Sequence, residues 1–307
     1  MTAVLLAALA GAIITATVTP VLAAWARRSN YLDIPNHRSS HAVPTPRIGG
    51  VALVLAVVTG ALILDALGTG LDRRTVIVLA GALGIALLGL VDDFQHLPAL
   101  VRLAVQGAIA TAVVMFQPAS TVPAIAGWFG VLLTVLWVVA LINAYNFMDG
   151  IDGIAGAQAV VAGIGWLAVG TIVGAPLVAA LGLLLAAASS GFLLHNWHPA
   201  KVFMGDAGSG FFGFLFAALP LLMPDPNGAS LWAYAILLMW TFLADTSLTL
   251  LRRLSRGENV LSAHRSHLYQ RLVLAGQSHS RVALVYAGLA VLGAIAAVAL
   301  ALVTKTP

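Results

Sequence analysis

The sequence predicts an all-α fold, a polytopic transmembrane bundle of about ten helices, and three observations predict it. The 307 residues are 61% hydrophobic and only 8% charged, where a soluble domain carries about 25% charged residues. Mean hydropathy is +1.00. The apolar residues fall into ten separate runs, most of them close to the ~20 residues that cross a hydrocarbon core. These features exclude a soluble enzyme, a disordered chain and a nucleic-acid-binding protein. No polar stretch is long enough to build a soluble core, so residues 1–307 read as one integral membrane domain.

The predicted spans are Ala3–Ala26, Ile48–Leu67, Thr75–Val91, Ala99–Phe116, Val122–Ile142, Ile154–Val173, Ala175–Leu194, Gly210–Met223, Leu231–Leu251 and Val282–Val303. The first is too long for a signal-peptide core and lacks a basic leading region, so it reads as a retained helix. The eighth is short and is expected to borrow residues after Asp206 or to pack inside the bundle. Small residues within the spans suit close helix contacts.

Orientation follows from charge. Eleven Lys and Arg residues lie in the loops after the odd-numbered spans, and Arg102 lies just inside the fourth span. Only Arg73, Arg74 and Lys305 lie on the other side, so twelve against three places the odd loops in the cytoplasm and both termini outside. All eight His residues and Asp92, Asp93, Asp149, Asp152 and Asp206 also fall in or beside the odd loops. Chemistry confined to one face points to an enzyme working on that face. A transporter or flippase for a lipid-linked or anionic solute is the alternative. It needs ionisable groups through the membrane, and only Asp245 lies clearly inside a span. There is no cysteine, which excludes disulfides, thiolate metal sites and thiol nucleophiles.

Four stretches carry the polar chemistry. Asp92 and Asp93 close the third span, where adjacent carboxylates repel unless a cation or basic group is near. Asn143, Asn146, Asp149 and Asp152 recur every three residues after the fifth span. On a helix-like backbone that spacing puts them on one face. Their oxygen-only donor set suits Mg²⁺, with Mn²⁺ as a substitute, and not Zn²⁺. The stretch from His195 through Asn196, Lys201 and Phe203 to Asp206 ends in small residues able to open a helix, whose N–H groups favour anions. In the ninth loop, His264, Arg265 and His267 resemble an anion grip, while Arg252 and Arg253 read as positive-inside anchors. The first loop adds residues 36–41 and Arg47, held extended by prolines. Acids and bases without thiols, on an apolar body, suggest metal-assisted chemistry on phosphates with a lipid substrate.

These motifs, in this order, resemble the polyprenyl-phosphate N-acetylhexosamine-1-phosphate transferases. That group includes initiators of O-antigen and enterobacterial common antigen synthesis and the phospho-N-acetylmuramoyl-pentapeptide transferases. The matching stretches are residues 35–50, Val91–Phe94, Asn143–Gly153, Asn196–Gly210, Asp245 with Arg252 and Arg253, and His264–His267. The muramoyl-pentapeptide enzymes carry three consecutive histidines where this chain has His-Arg-Ser-His, and that wording is similar to the O-antigen initiators.

The resemblance implies that a polyprenyl phosphate attacks the sugar-linked phosphorus of a UDP-sugar in the cytoplasmic membrane. UMP is released and a polyprenyl-diphosphate-sugar forms. It implies Asp206 as the main Mg²⁺ ligand with Asn146 as a second. Asp152, Asn196 and Phe203 would line the uridine pocket, with Asn143, Lys201 and Arg47 also on substrate. Asp92 and Asp93 would act near the lipid phosphate, with Asp149 among the catalytic groups. His264, Arg265 and His267 would grip the diphosphate or sugar. The expected partners are the UDP-sugar, the polyprenyl phosphate and the bilayer, with no nucleic acid, and a homodimer is one arrangement open to it.

Overall fold

The computed structural model describes residues 1–35, 43–117, 127–223, 229–260, 262 and 264–305. Among the described residues, the helices in chain order are α1 (Thr2–Arg28), α2 (Gly49–Ala66), α3 (Arg73–Gln95), α4 (Ala99–Met115), α5 (Trp128–Met148) and α6 (Ile154–Ile172). They continue with α7 (Pro176–Asn196), α8 (Gly205–Ala218), α9 (Ala229–Leu238), α10 (Trp240–Ser255), α11 (Leu268–Leu274) and α12 (His279–Lys305). Two short strands, β1 (Leu32–Asp33) and β2 (Thr45–Pro46), pair antiparallel between α1 and α2. The polar residues 36–41 of the first loop lie outside the described residues.

Among the described residues, eight helices are long and apolar enough to cross a membrane, and a ninth span is formed if the bent pair α9–α10 counts as one. The fourth expected span, α4, is a shorter apolar helix of 17 residues. Leucines such as Leu5, Leu62, Leu87, Leu132 and Leu292 stand exposed on the outer helix faces, as lipid-facing side chains do.

α8 is the centre of the bundle: all but Asp206 of its 14 residues are buried. It packs mainly on α3 and α5. Gly50 and Gly208 let α2 approach it; a Cβ on Gly50 would collide with the Gly208 backbone, and one on Gly208 would lie 2.6 Å from the Gly50 Cα. Burial on every side suits the apolar, phenylalanine-rich sequence from Phe211 to Phe216.

Three expectations are corrected. The fifth span runs Trp128–Met148, six residues later than expected at its far end, because Asn143 and Asn146 stay helical and spend their side chains on α4 and α8. The eighth begins at Gly205 instead of Gly210, so Asp206 belongs to its first turn. The ninth is broken by a bend of 80° between Leu238 and Trp240. The break is tolerated because Gln158 on α6 donates to the Leu238 carbonyl at 2.8 Å and accepts from Thr241 at 2.9 Å. A membrane interior permits a broken helix only where neighbours satisfy the freed backbone groups.

Candidate active site

The site is assembled at one end of the bundle, where α3, α5, α7 and α10 finish and α2, α4, α6, α8 and α12 begin. Its base is a backbone clasp. Phe203 donates its N–H to the Pro46 carbonyl at 2.8 Å, and Gly49 and Gly50 donate to the Phe203 and Met204 carbonyls at 2.9 and 2.7 Å. The clasp carries Arg47 to the start of α8. Gly205 then turns the chain at φ +74°, a left-handed conformation that costs other residues about 1–2 kcal/mol.

The α8 N-terminus is capped from another helix. Asp93 accepts the N–H of Asp206 at 3.0 Å and that of Ala207 at 3.2 Å. These are N–H groups that a helix cannot satisfy internally, and an anion there meets the positive end of the helix dipole. Arg47 Nε lies 3.1 Å from the same Asp93 carboxylate, and its Nη2 pairs with Asp206. Burial works against the Arg47 charge, but Asp206 and Asp93 outweigh it and hold the guanidinium above its ordinary pKa.

On the other side, Arg102 from α4 lies 2.6 Å from Asp92 and 3.5 Å from Asp206. Asp92 also accepts the Leu97 N–H at 2.7 Å, which fixes the α3–α4 turn. Asn146 donates to both Asp206 and Ser209 at 2.9 Å. Asn143 donates to Gln106 on α4 at 2.7 Å. A cleft between α3, α4, α5 and α8 opens beside these groups, with Asp92, Arg102, Asn143 and Asp206 polar and Ile85 and Leu88 apolar.

Asp92, Asp93 and Asp206 thus share two guanidinium groups, which leaves an excess of negative charge. Asp149, at the end of α5, feels the same field. Burial raises its pKa well above the ordinary carboxylate range; Arg47 opposes this, and Asp206 and Asp93 add to it. Oxygen donors with surplus negative charge fit a hard divalent cation, so Asp206 with the Asn146 amide and a neighbouring carboxylate could hold one.

Asp152 does not share the face of Asn146, contrary to the three-residue spacing, because α5 ends at Met148 and the chain turns before α6. Asp152 pairs instead with His198 at 2.6 Å and His279 at 3.3 Å, and it accepts the Ala200 N–H at 3.1 Å. Burial pushes its carboxyl up, but the hydrogen bonds from His279 and His198 outweigh that and hold it below the ordinary range. Asn196 is buried and spends its amide on Gly153 N–H at 3.1 Å and the Val202 carbonyl at 2.9 Å, pinning the two turns together. Phe203 is half-buried and Lys201 exposed on the same loop.

The ninth loop is held by two buried charges. Arg253 is 5% exposed and binds Glu258, Asn259 and Ser262, so it organises the loop instead of serving only as a surface anchor. Asp245 accepts the backbone N–H groups of Leu268 at 2.8 Å and Tyr269 at 3.1 Å and the Tyr286 hydroxyl at 2.6 Å. It thereby caps α11 and sets the position of His267, which is buried 3.3 Å from it. Tyr269 donates to the Phe147 carbonyl at 2.8 Å, so this loop lies against the end of α5, beside Asn146 and Asp149. The His264 ring lies 5.0 Å from that of His267, tilted by 32°. Burial, His267 and Arg253 lower its pKa to about 4. At neutral pH His264 is therefore an uncharged imidazole, while Arg265 on the same loop is exposed.

One group of expected residues converges: Arg47, Asp92, Asp93, Asn143, Asn146 and Asp206. A second group, Asp152, Asn196, Lys201 and Phe203, lies on the adjoining turn, and His264–His267 closes the far side. Sequence reasoning missed roles for Gln106, His198 and His279 and gave Arg102 and Asp245 none at the site. Arg102 stood out only as a charge beside an apolar run; Gln106 follows it by one helical turn, on the same face.

Residues 75–223 match glycosyl transferase family 4. A probable undecaprenyl-phosphate N-acetylglucosaminyl 1-phosphate transferase of Bacillus subtilis (strain 168) is 33% identical over 279 residues, covering 87% of this chain and 76% of that protein. A decaprenyl-phosphate N-acetylglucosaminephosphotransferase of Mycobacterium tuberculosis (strain ATCC 25618 / H37Rv) is 32% identical, covering 95% of this chain and 82% of that protein. A phospho-N-acetylmuramoyl-pentapeptide-transferase of Oceanobacillus iheyensis is 28% identical, covering 73% of this chain and 76% of that protein. With the charge cluster at one end of a membrane bundle, these likenesses identify the chain as a member of glycosyl transferase family 4, the family of polyprenyl-phosphate N-acetylhexosamine-1-phosphate transferases.

Proposed function

We propose that this chain transfers an N-acetylhexosamine 1-phosphate, with N-acetylglucosamine as the first sugar to try, from its UDP-sugar to a polyprenyl phosphate. An oxygen of the lipid phosphate forms the new bond to the sugar-linked phosphorus. The bond from that phosphorus to UMP breaks, and UMP leaves with the electron pair. The product would be the first lipid-linked intermediate of a cell-surface polysaccharide, made at the cytoplasmic face of the cytoplasmic membrane. The observation that carries this reading is the convergence of Arg47 and Arg102 on Asp92, Asp93 and Asp206 beside a cleft with apolar walls.

Mg²⁺, or Mn²⁺ in its place, would be held by Asp206 with Asn146 and would supply charge neutralisation and orientation of phosphate oxygens. The chain's own residues do the rest. Arg102, on the cleft side of Asp206, is positioned to meet the lipid phosphate. Arg47, on the clasp side, is positioned to meet the donor diphosphate, with Phe203 and Asp152 on the nucleoside flank. A phosphomonoester has a second pKa near 6, so the acceptor is already an anion at neutral pH and Asp92 and Asp93 position groups without having to remove a proton. Arg265 supplies positive charge from the ninth loop. A transporter is less well supported, because Asp245 is saturated by the α11 N-terminus and Tyr286.

Purified chain given UDP-N-acetylglucosamine, undecaprenyl phosphate and Mg²⁺ should release UMP and form a lipid-linked sugar, and chelation should stop it. Absence of UMP with every UDP-N-acetylhexosamine offered would overturn the reading.

A further inference from the structure

Asp152, His198 and His279 come from three separate parts of the chain: the turn after α5, the turn after α7 and the first residue of α12. One donor atom from each lies within 4.8 Å of the others. The two imidazole rings are 5.1 Å apart and both turn Nδ1 toward the one carboxylate. Asp152 and His279 are buried, and the His198 side chain is 40% exposed, which leaves one side open to water.

Hydrogen bonding satisfies this cluster unevenly. His198 Nδ1 sits 2.6 Å from Asp152 Oδ2. His279 Nδ1 has only long contacts, 3.3 Å to Asp152 Oδ1 and 3.4 Å to the Asp152 N–H, against a usual N–H···O separation of about 2.9–3.0 Å. A tetrahedral Zn²⁺ with ligands at about 2.0–2.1 Å sets neighbouring donor atoms roughly 3.3–3.4 Å apart. The His279–Asp152 pair already has that spacing. His198 Nδ1, 2.6 Å from Asp152, would have to draw back to reach it, and the two histidine donor atoms already lie within 4.8 Å of each other.

We propose that Asp152, His198 and His279 form a second cation site that takes a borderline transition-metal ion such as Zn²⁺, with water in the fourth position. Two imidazole nitrogens and one carboxylate suit such an ion and disfavour Mg²⁺, the reverse of the oxygen-only set around Asp206. The bound ion would tie the α5–α6 turn, the α7–α8 loop and the start of α12 together. Asp152 also stands on the nucleoside flank of the proposed transfer site, so the ion would border that pocket, and the test reads metal binding instead of activity.

The test is a metal titration of the full chain, purified in detergent with a tag free of histidine. Co²⁺ should give a saturable visible absorption band that Zn²⁺ abolishes and millimolar Mg²⁺ does not. His279→Ala and His198→Ala should each weaken Co²⁺ at least about tenfold, equivalent to about 1.4 kcal/mol. Asp206→Asn should leave the band unchanged. His198 is exposed, so its variant keeps the test valid if loss of buried His279 harms folding. No saturable band in folded protein, unchanged affinity in His198→Ala, or a band lost in Asp206→Asn would each overturn the proposal. UMP release is read separately, so failure here leaves the transfer reading standing.

Discussion

Asp93 caps the helix that carries Asp206: its two carboxylate oxygens accept the backbone N–H groups of Asp206 at 3.0 Å and Ala207 at 3.2 Å, across 113 residues of sequence. The Asp93 carboxylate is thus bound to backbone on one side and to the basic group its adjacency to Asp92 calls for, Arg47, on the other. Asp92 is held differently, by Arg102 and the Leu97 N–H. Two adjacent acids therefore do two jobs, one fixing α8 and one fixing the α3–α4 turn.

Asp93→Asn should destabilise the protein more than Asp92→Asn does. An amide cannot accept with both of its terminal atoms, so one buried N–H loses its partner and Arg47 loses a charge. Hydrogen bonds to a charged group contribute about 1.5–3 kcal/mol. Thermal melts of both variants in one detergent measure it. Equal melting temperatures would remove the capping role.

Asp206→Asn should lower turnover at least ~100-fold, corresponding to about 2.7 kcal/mol of barrier. It takes a charged oxygen from the group most suited to a hard cation. Manganese binding followed by electron paramagnetic resonance should weaken in parallel. Near-wild-type activity at limiting Mg²⁺ would rule out Asp206 as the principal ligand.

The pH–rate profile should follow the lipid phosphate and not an enzyme base. Its second ionisation lies near pH 6, and a phosphonate analogue of shifted pKa should move the profile with it. A profile that stays in place when the lipid is changed, and disappears in Asp92→Asn or Asp93→Asn, would restore general-base catalysis.

Asp149→Asn should alter how stability depends on pH. Burial holds the folded Asp149 carboxyl well above its ordinary value of 3.8, partly offset by Arg47 and reinforced by Asp206 and Asp93. A raised folded pKa means that the proton's contribution is complete below the unfolded value and is lost as pH rises through the folded one. Wild type should therefore lose melting temperature relative to Asp149→Asn as pH rises above the ordinary carboxylate value of 3.8. Parallel curves for the two proteins would show that Asp149 does not titrate there.

Reporter fusions after Asp72 and after Pro98 should report opposite sides of the membrane, with Pro98 inside. The twelve-to-three distribution of Lys and Arg motivates this orientation. Both fusions reporting one side would refute the ten-span arrangement.

Composition and apolar run length by themselves determined the membrane class, the approximate helix positions and the clustering of acids and histidines toward one end. Those properties are local: hydropathy over ~20 residues decides whether a segment crosses the bilayer. The Asp92–Asp93 pair, the Asn143–Asp152 stretch and Asp206 were legible for the same reason, as carboxylates and amides at the edges of apolar runs. Only the tertiary structure decided which of them meet. Helical spacing put Asp152 with Asn146, but the end of α5 at Met148 turns Asp152 toward His198 and His279. Arg102 reaches Asp92 and Asp206 because α4 packs on α3 and α5. Asp245 read as an acid inside a span, and only the fold shows α11 turning back over it so that two backbone N–H groups take up its charge. In each case a buried polar group is stable only with a partner, and that partner is supplied by another helix whose position no local pattern records.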